Sequence, residues 1–175
     1  MFRIGLCFDN QCPVPVTITY LQMLSLEELR PMRVEDSRFW IREATTKQWQ
    51  FNKFMYGLVG QPWSWKDKEP WSDEQWRAYA EAESLRTFGA WLDGSPAGYY
   101  ELRLEDREIE IAYFGLAPRF IGRGFGAGLL TSAIEEAWGW APSRVWVHTC
   151  TLDHPAAVQN YQARGMRIYK VETKE

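Results

Sequence analysis

Glu108-Ile109-Glu110-Ile111-Ala112-Tyr113-Phe114-Gly115-Leu116, then Ala117-Pro118-Arg119-Phe120-Ile121, then Gly122-Arg123-Gly124-Phe125-Gly126-Ala127-Gly128, and finally Leu129 to Trp138: the fold is read outward from this run. Its first part alternates apolar and acidic residues, the period of a half-buried strand. Its last part repeats apolar residues at i, i+4 and i+8, the period of a helix. The glycines between them permit a tight turn and a close approach of backbone to a ligand. A helix that starts there leaves its first N–H groups unpaired and pointing outward, with the positive end of the helix dipole behind them, which suits a pyrophosphate. Arg119 and Arg123 add cationic side chains beside it.

Upstream of this run, Leu85–Leu92 and Ala97–Leu104 flank Asp93-Gly94 and read as a hairpin. With 108–116 they make an antiparallel meander. Downstream, Arg144–Cys150 reads as a strand, Pro155–Ala163 as a helix with Gly165 past its end, and Met166–Val171 as a last strand. In the first half, Val16–Leu24 is β-branched and alternating, and Arg38–Glu43 is a second strand candidate. A helix opens at Thr46 and ends by Gly57 and Gly60. A loop rich in Trp, Lys and Pro follows from Gln61 to Trp71. Ser72 with Gln75 three residues on forms a capping-box pattern, with Asp73 and Glu74 in the first turn of a helix that runs to about Ser84. Residues 1–15 show no period and read as an irregular arm. No repeat or linker divides the chain. The expectation is an α/β class fold, one α+β domain with a mixed sheet over residues 1–175.

Composition narrows the function. The 175 residues are 46% apolar and 25% charged with a net charge of −3, a globular balance that excludes a disordered or collagenous chain and argues against a dedicated nucleic-acid binder. No apolar run approaches the ~18 residues of a membrane span, and the N-terminus lacks a signal-peptide core, so a cytoplasmic protein is expected. Cys7, Cys12 and Cys150 are an odd count and read as reduced thiols. A zinc site would need all three with His148 or His154 and lacks a C-x-x-C clip, so no metal is expected. Aromatic residues reach 15%, and seven of the ten Trp (Trp40, Trp49, Trp63, Trp65, Trp71, Trp76 and Trp91) lie in the first 91 residues.

Several folds use a glycine turn before a helix. A P-loop ends in Gly-Lys-Ser/Thr, which is missing here. A dinucleotide-binding turn matches Gly122, Gly124 and Ala127, but the next strand, Val145–Cys150, carries no acid and the unit comes late in the chain. A glycine-rich helix start that packs closely on a sheet and binds nothing is the bland alternative. The segment Ile111–Gly126 with Leu129-Leu130 resembles the acyl-CoA signature of the GNAT (Gcn5-related) N-acetyltransferases. Leu152-Asp153-His154-Pro155-Ala156-Ala157, then Asn160-Tyr161, then Gly165-Met166, is similar to that family's C-terminal motif. The resemblance covers about 85–171. It departs from the family at Ile121, where Gln or Arg is usual, at His154, where Asn is usual, and at Met166, where Phe is usual.

The resemblance implies an acyl-CoA N-acyltransferase-like fold: a mostly antiparallel sheet in which one parallel pair, 108–117 and 144–150, splays apart. It implies acetyl-CoA as co-substrate and direct attack by a primary amine, either a small molecule, an amino acid or a peptide N-terminus. Leu116 and Ala117 would pair with the pantetheine amides. The backbone of Ile121, Gly122, Arg123, Gly124, Phe125 and Gly126 would hold the pyrophosphate. Tyr161 matches the tyrosine that protonates the leaving thiolate, its alternative being a helix residue that fills the sheet face. Glu110 matches the glutamate base of some members, with a pKa expected to be raised by partial burial, or else it is an outward charge like Glu108. His148 on the facing strand is a second base candidate. His154 reads as a cap or a packed loop residue, and Cys150 as a buried strand thiol. Residues 46–84 would be the substrate-side helices and 85–171 the acyl-CoA-binding core. Phe54, Tyr56, Trp63, Trp65 and Trp71 would line the acceptor pocket, or instead cap a shallow core. Many family members are dimers, which leaves a homodimer open; no stretch marks a dimer surface. A non-catalytic acyl-CoA sensor and a protein-modifying acetyltransferase are the other readings.

Overall fold

The period-2 runs all become strands of one sheet. The structure, a computed structural model, describes residues 15–63 and 65–174; Cys7, Cys12 and all of the expected arm except Pro15 lie outside the described residues. The strands are β1 (Val16–Met23), β2 (Phe39–Glu43), β3 (Leu85–Leu92), β4 (Ser95–Glu105), β5 (Glu108–Leu116), β6 (Arg144–Cys150) and β7 (Arg167–Lys174). The helices are α1 (Trp49–Gly60), α2 (Asp73–Ala80), α3 (Phe125–Trp138) and α4 (Ala157–Ala163). The sheet order is β2-β3-β4-β5-β6-β1-β7, with β5 and β6 parallel and the other neighbours antiparallel. The chain is thus a single α+β domain with a mixed sheet, as the sequence reading expects.

Local chemistry sets several boundaries. Asp93 (φ 50°) and Gly94 (φ 78°) both lie in the left-handed region, so the β3–β4 hairpin closes in two residues and β4 starts at Ser95, before the expected Ala97. Ser72 and Gln75 form the capping box of α2, but the helix stops at Ala80 rather than near Ser84. In α3 the helix begins at Phe125, four residues before Leu129. Glycine is a poor helix former. Gly128 is nevertheless needed inside this helix, because a Cβ there would lie 2.4 Å from Val34 Cγ2.

The strap that brings Val34 there connects β1 to β2. The first strand is not beside the second: β1 inserts between β6 and β7, antiparallel to both. The return segment crosses α3, where the Met32 N–H donates to Thr131 Oγ1 (2.9 Å). Helices α3 and α4 cover one face of the sheet over a core that includes Leu21, Leu102, Ile109, Leu130, Ile134 and Val147. Helices α1 and α2 cover the other face through Trp49, Tyr56, Trp76 and Ala80, with Tyr113 packed against them.

Two irregularities in β5 position the site. Ile111 pairs with Leu102, yet Tyr113 pairs with Glu101, so Ala112 is an extra residue. Such a bulge re-aims the side chains beyond it. It turns Tyr113 toward α1 and α2 and Phe114 toward α4. The second irregularity is a parting. β5 and β6 pair only from Glu108–Arg144 to Glu110–Trp146, although both strands run on to Leu116 and Cys150. The Arg144–Glu108 ion pair (2.5 Å) fastens their joined end.

Candidate active site

Past Glu110 the two strands leave a cleft of about 910 Å³ between them. Because ladder bonds are missing there, the cleft passes through the plane of the sheet. Groups from both faces therefore meet it: Phe114 and Tyr161 from the α4 side, and Glu110, His148, Lys68, Trp71 and Tyr79 from the α1–α2 side.

The glycine turn stands at the open end. Gly122 (φ 77°) and Gly124 (φ 86°) adopt the conformation that favours glycine, and a Cβ at either would meet nothing within 4 Å. Gly124 is the N-cap of α3, and no side chain caps the helix, so its first-turn N–H groups are left for an anion. Leu116, Ile121, Gly122 and Gly126 line the cleft. Arg123 is exposed within the turn, with its guanidinium over the rings of Phe120 (5.6 Å) and Phe125 (5.3 Å). One expectation needs correcting at this end. The Ala117 N–H already donates to the Ala97 carbonyl (2.9 Å) and its side chain is buried, so that N–H is not available to pantetheine. The Phe125 side chain is buried and stacked on Phe39 at 4.7 Å, where it anchors the turn, while its backbone N–H is the first of α3.

Glu110 sits at the closed end, where the strands join. It is buried, not half-buried, and it accepts from Arg103 Nη2 on the paired strand β4. His148 Nδ1 lies 3.2 Å from its other oxygen, short of good hydrogen-bond alignment. The expected rise in pKa is overturned. Burial alone would raise it, but the contact with His148 and the charge of Arg103 outweigh burial, and the carboxyl is held below its ordinary range. Tyr161 comes from α4, buried, with its ring 6.0 Å from that of Phe114. Its hydroxyl makes no hydrogen bond to another described residue and opens on the cleft. Burial, with a smaller contribution from Asp153, pushes its pKa up, so it stays a phenol at neutral pH. Cys150 lines the cleft too, and burial pushes its thiol up as well.

The aromatic side divides the residues expected there. Trp63, Trp65 and Trp71 line the cleft. Tyr56 stands behind them, buried, with its hydroxyl donating to Asp67 Oδ1 (2.8 Å). Phe54 is 54% exposed on the outer side of α1 and does not line the cleft. The loop carrying the Trp residues also reaches across the opening. Trp65 Nε1–H donates to Asp153 Oδ1 (3.2 Å), and the Trp63 ring meets the His154 ring edge-on at 5.0 Å. Asp153 is itself fixed by donation from Thr149 Oγ1 (2.7 Å) and the Cys150 N–H (3.0 Å).

Sequence reasoning misses a buried polar network behind this wall. Lys68 is 7% exposed. Its ammonium sits 4.2 Å from the Trp71 ring, 4.4 Å from Tyr79 and 4.7 Å from Tyr113, and donates to Asp67 Oδ2 (3.3 Å) and to the Tyr113 hydroxyl (3.0 Å). Glu101, 1% exposed, accepts from Tyr79 (2.5 Å) and Asn52 (2.8 Å). A charged pair in a Trp-rich loop reads as solvated. The three aromatic residues that enclose Lys68 are separated in sequence, and the bulge that swings Tyr113 inward has no sequence mark. Among the described residues no group of three or more His, Cys, Asp or Glu could hold a metal, and no helix is long and apolar enough to cross a membrane.

Comparison with known proteins bears on this geometry. No curated protein sequence matches the chain. Among solved structures, a GCN5-related N-acetyltransferase from Sphaerobacter thermophilus superposes with a TM-score of 0.68 at 15% identity, over 90% of this chain and 50% of that one. A tandem GNAT protein from the clavulanic acid biosynthesis pathway gives 0.63 at 17% identity, over 93% and 53%. An aminoglycoside acetyltransferase from an uncultured soil metagenomic sample gives 0.62 at 14% identity, over 74% and 88%. The chain therefore spans about half the length of the first two. At these identities the likeness is one of fold. The model of the acetyltransferase (GNAT) family matches residues 35–166, well over half of the sequence, and the chain belongs to that family.

Proposed function

We propose that this protein transfers an acetyl group from acetyl-CoA to a primary amine by direct attack. The observation that carries the reading is the parted β5–β6 pair, with an uncapped glycine helix start at one end and the Glu110–His148 contact at the other. A pyrophosphate would lie on the first-turn N–H groups of α3, with Leu116, Ile121, Gly122 and Gly126 beside it. The pantetheine arm would follow the unpaired edge of β5 past Phe114.

Two proton movements are needed. Glu110, kept charged by Arg103, is a weak base in this setting. It serves instead to hold the imidazole of His148 beside the cleft, and His148 accepts the proton that the acceptor ammonium must lose. Imidazole is a frequent proton acceptor in such roles. Tyr161 presents an O–H from the opposite face to the leaving sulfur. The acceptor would enter between Trp63, Trp65 and Trp71. The wall there favours a small-molecule amine, an amino acid or a peptide N-terminus over a folded protein surface, because Trp65 and Asp153 close the opening to a slot.

Isothermal titration with acetyl-CoA, followed by thiol release over a panel of amines, tests the reading. Binding with amine-dependent release is expected. Binding without release across the panel favours a sensor that keeps the cradle but does not use Tyr161. Absence of binding removes the phosphate-cradle argument.

A further inference from the structure

Among the described residues, Lys68 is the one lysine that lines the cleft. It is a primary alkylamine already held in the chamber where the acceptor amine would react. Its ammonium is boxed by Trp71, Tyr79 and Tyr113, and its one carboxylate contact among the described residues is Asp67 at 3.3 Å. Tyr113, which hydrogen-bonds to Nζ, projects from β5 immediately beyond the bulge, on the strand that forms the cleft wall. The other amines in this region are differently placed. Lys66, two residues away, is exposed; Lys53 is paired with Asp73 outside; Lys47 donates to the Ala82 and Leu85 carbonyls.

We propose that Lys68 is an internal acyl acceptor: a CoA thioester bound in the cleft acetylates Nζ of the same chain. The proposal rests on the acetyltransferase reading above. Asp67 Oδ2 takes one proton from the ammonium and passes it to solvent. The freed lone pair attacks the thioester carbonyl, a C–N bond forms and the C–S bond breaks. The second proton leaves the nitrogen for Asp67 Oδ2 and from there solvent, and Tyr161 protonates the departing thiolate and is reprotonated from solvent, so that one proton is released overall. The products are Nε-acetyl-lysine and free CoA. Burial lowers the pKa of Lys68, against the raising effect of Asp67, which favours the neutral amine the step requires. Acetylation also removes the positive charge from the aromatic box, which loosens the loop that carries Trp63 and Trp65.

The test is mass spectrometry of the full chain incubated with acetyl-CoA, with Lys66 as an internal control for uncatalysed acetylation. Lys68 is expected to be modified at least about tenfold faster than Lys66, since the reacting groups share one cavity. The rate constant should be independent of protein concentration, and excess CoA should suppress modification at Lys68 alone. Without added amine, a stoichiometric burst of thiol should appear and be absent in Lys68→Arg, which keeps a cation in the box. If amines are turned over while Lys68 stays unmodified or trails Lys66, the lysine is a brace for the loop and the proposal is overturned with the enzyme reading intact. If acetyl-CoA does not bind in titration, both fail together.

Discussion

Glu110 and Tyr161 show how much a residue's chemistry depends on neighbours that its own segment does not contain. The strand pattern places Glu110 at the cleft but leaves out Arg103, which reaches it only through the register of β4 against β5. That partner reverses the direction of the pKa shift. The folded-state value is below the unfolded one, near 4.5, so the carboxylate stabilises the fold above that pH, and this contribution is lost as pH falls through the lowered folded value. Glu110→Gln should cost about 3 kcal/mol at neutral pH, because it breaks the ion pair that Glu110 makes with Arg103 at a buried site. The difference from wild type should shrink below pH ~4.5. Urea unfolding of both proteins across pH 3–7 measures it, and curves that stay parallel would refute the ion-pair account. Tyr161→Phe is the complementary case. It removes an O–H that no other described residue uses, so stability should hold, while turnover falls about 10²-fold with acetyl-CoA affinity unchanged. Steady-state kinetics and titration separate the two effects, and unchanged turnover would take Tyr161 out of the mechanism.

At the scale of elements, periodicity identifies each strand and helix, and its errors fall where packing overrules local preference. Helix α3 is the clearest instance. Its glycines read as turn, yet Gly126 and Gly128 are helical, the second because the 24–38 strap crosses it at Val34. Propensity says that Gly128→Ala gains about 1 kcal/mol, and the contact says that it loses about 1–3 kcal/mol to overpacking. At 2.4 Å from a branched methyl the contact should win, and the substitution should destabilise. In a Val34→Ala background the clash is gone, and Gly128→Ala should then stabilise. Thermal or urea unfolding of the four proteins in this cycle decides it, and additive effects would show that the strap is not what demands glycine. Helix α2 is the opposite case, legible to its cap. Ser72→Ala should cost about 1 kcal/mol in urea unfolding, since it breaks a reciprocal capping box and leaves first-turn donors unpaired.

Across the whole molecule, alternation reveals a strand but not its neighbour, so the insertion of β1 between β6 and β7 had no sequence sign. The glycine turn at one end of the cleft was legible because its glycines fall at fixed spacing along one stretch. The aromatic end was not, because Lys68, Tyr79, Glu101, Arg103 and Tyr113 meet only after the sheet is assembled. The cleft that results is walled on one side by β6 and its following loop, and on the other by the 61–72 loop. Trp65 and Asp153 join the two across the opening. Asp153 cannot turn away easily, being held by Thr149 and the Cys150 amide, so the indole N–H is the part that makes or breaks the bridge. Trp65→Phe removes that donor and retains an aromatic ring against Tyr56 and Tyr113. A hydrogen bond to a carboxylate at this partly buried site is worth about 1.4 kcal/mol, or tenfold. If the bridge retains the acceptor, KM for an amine that is turned over should rise by about that factor, with kcat and acetyl-CoA affinity within about twofold of wild type. A fall in kcat at constant KM would instead mean that the bridge sets the reacting geometry. An unchanged KM and kcat would mean that amines reach the cleft by another route, past Trp71 and Tyr79, which also line a smaller cavity of about 490 Å³ between α2, the start of β3 and the end of β4.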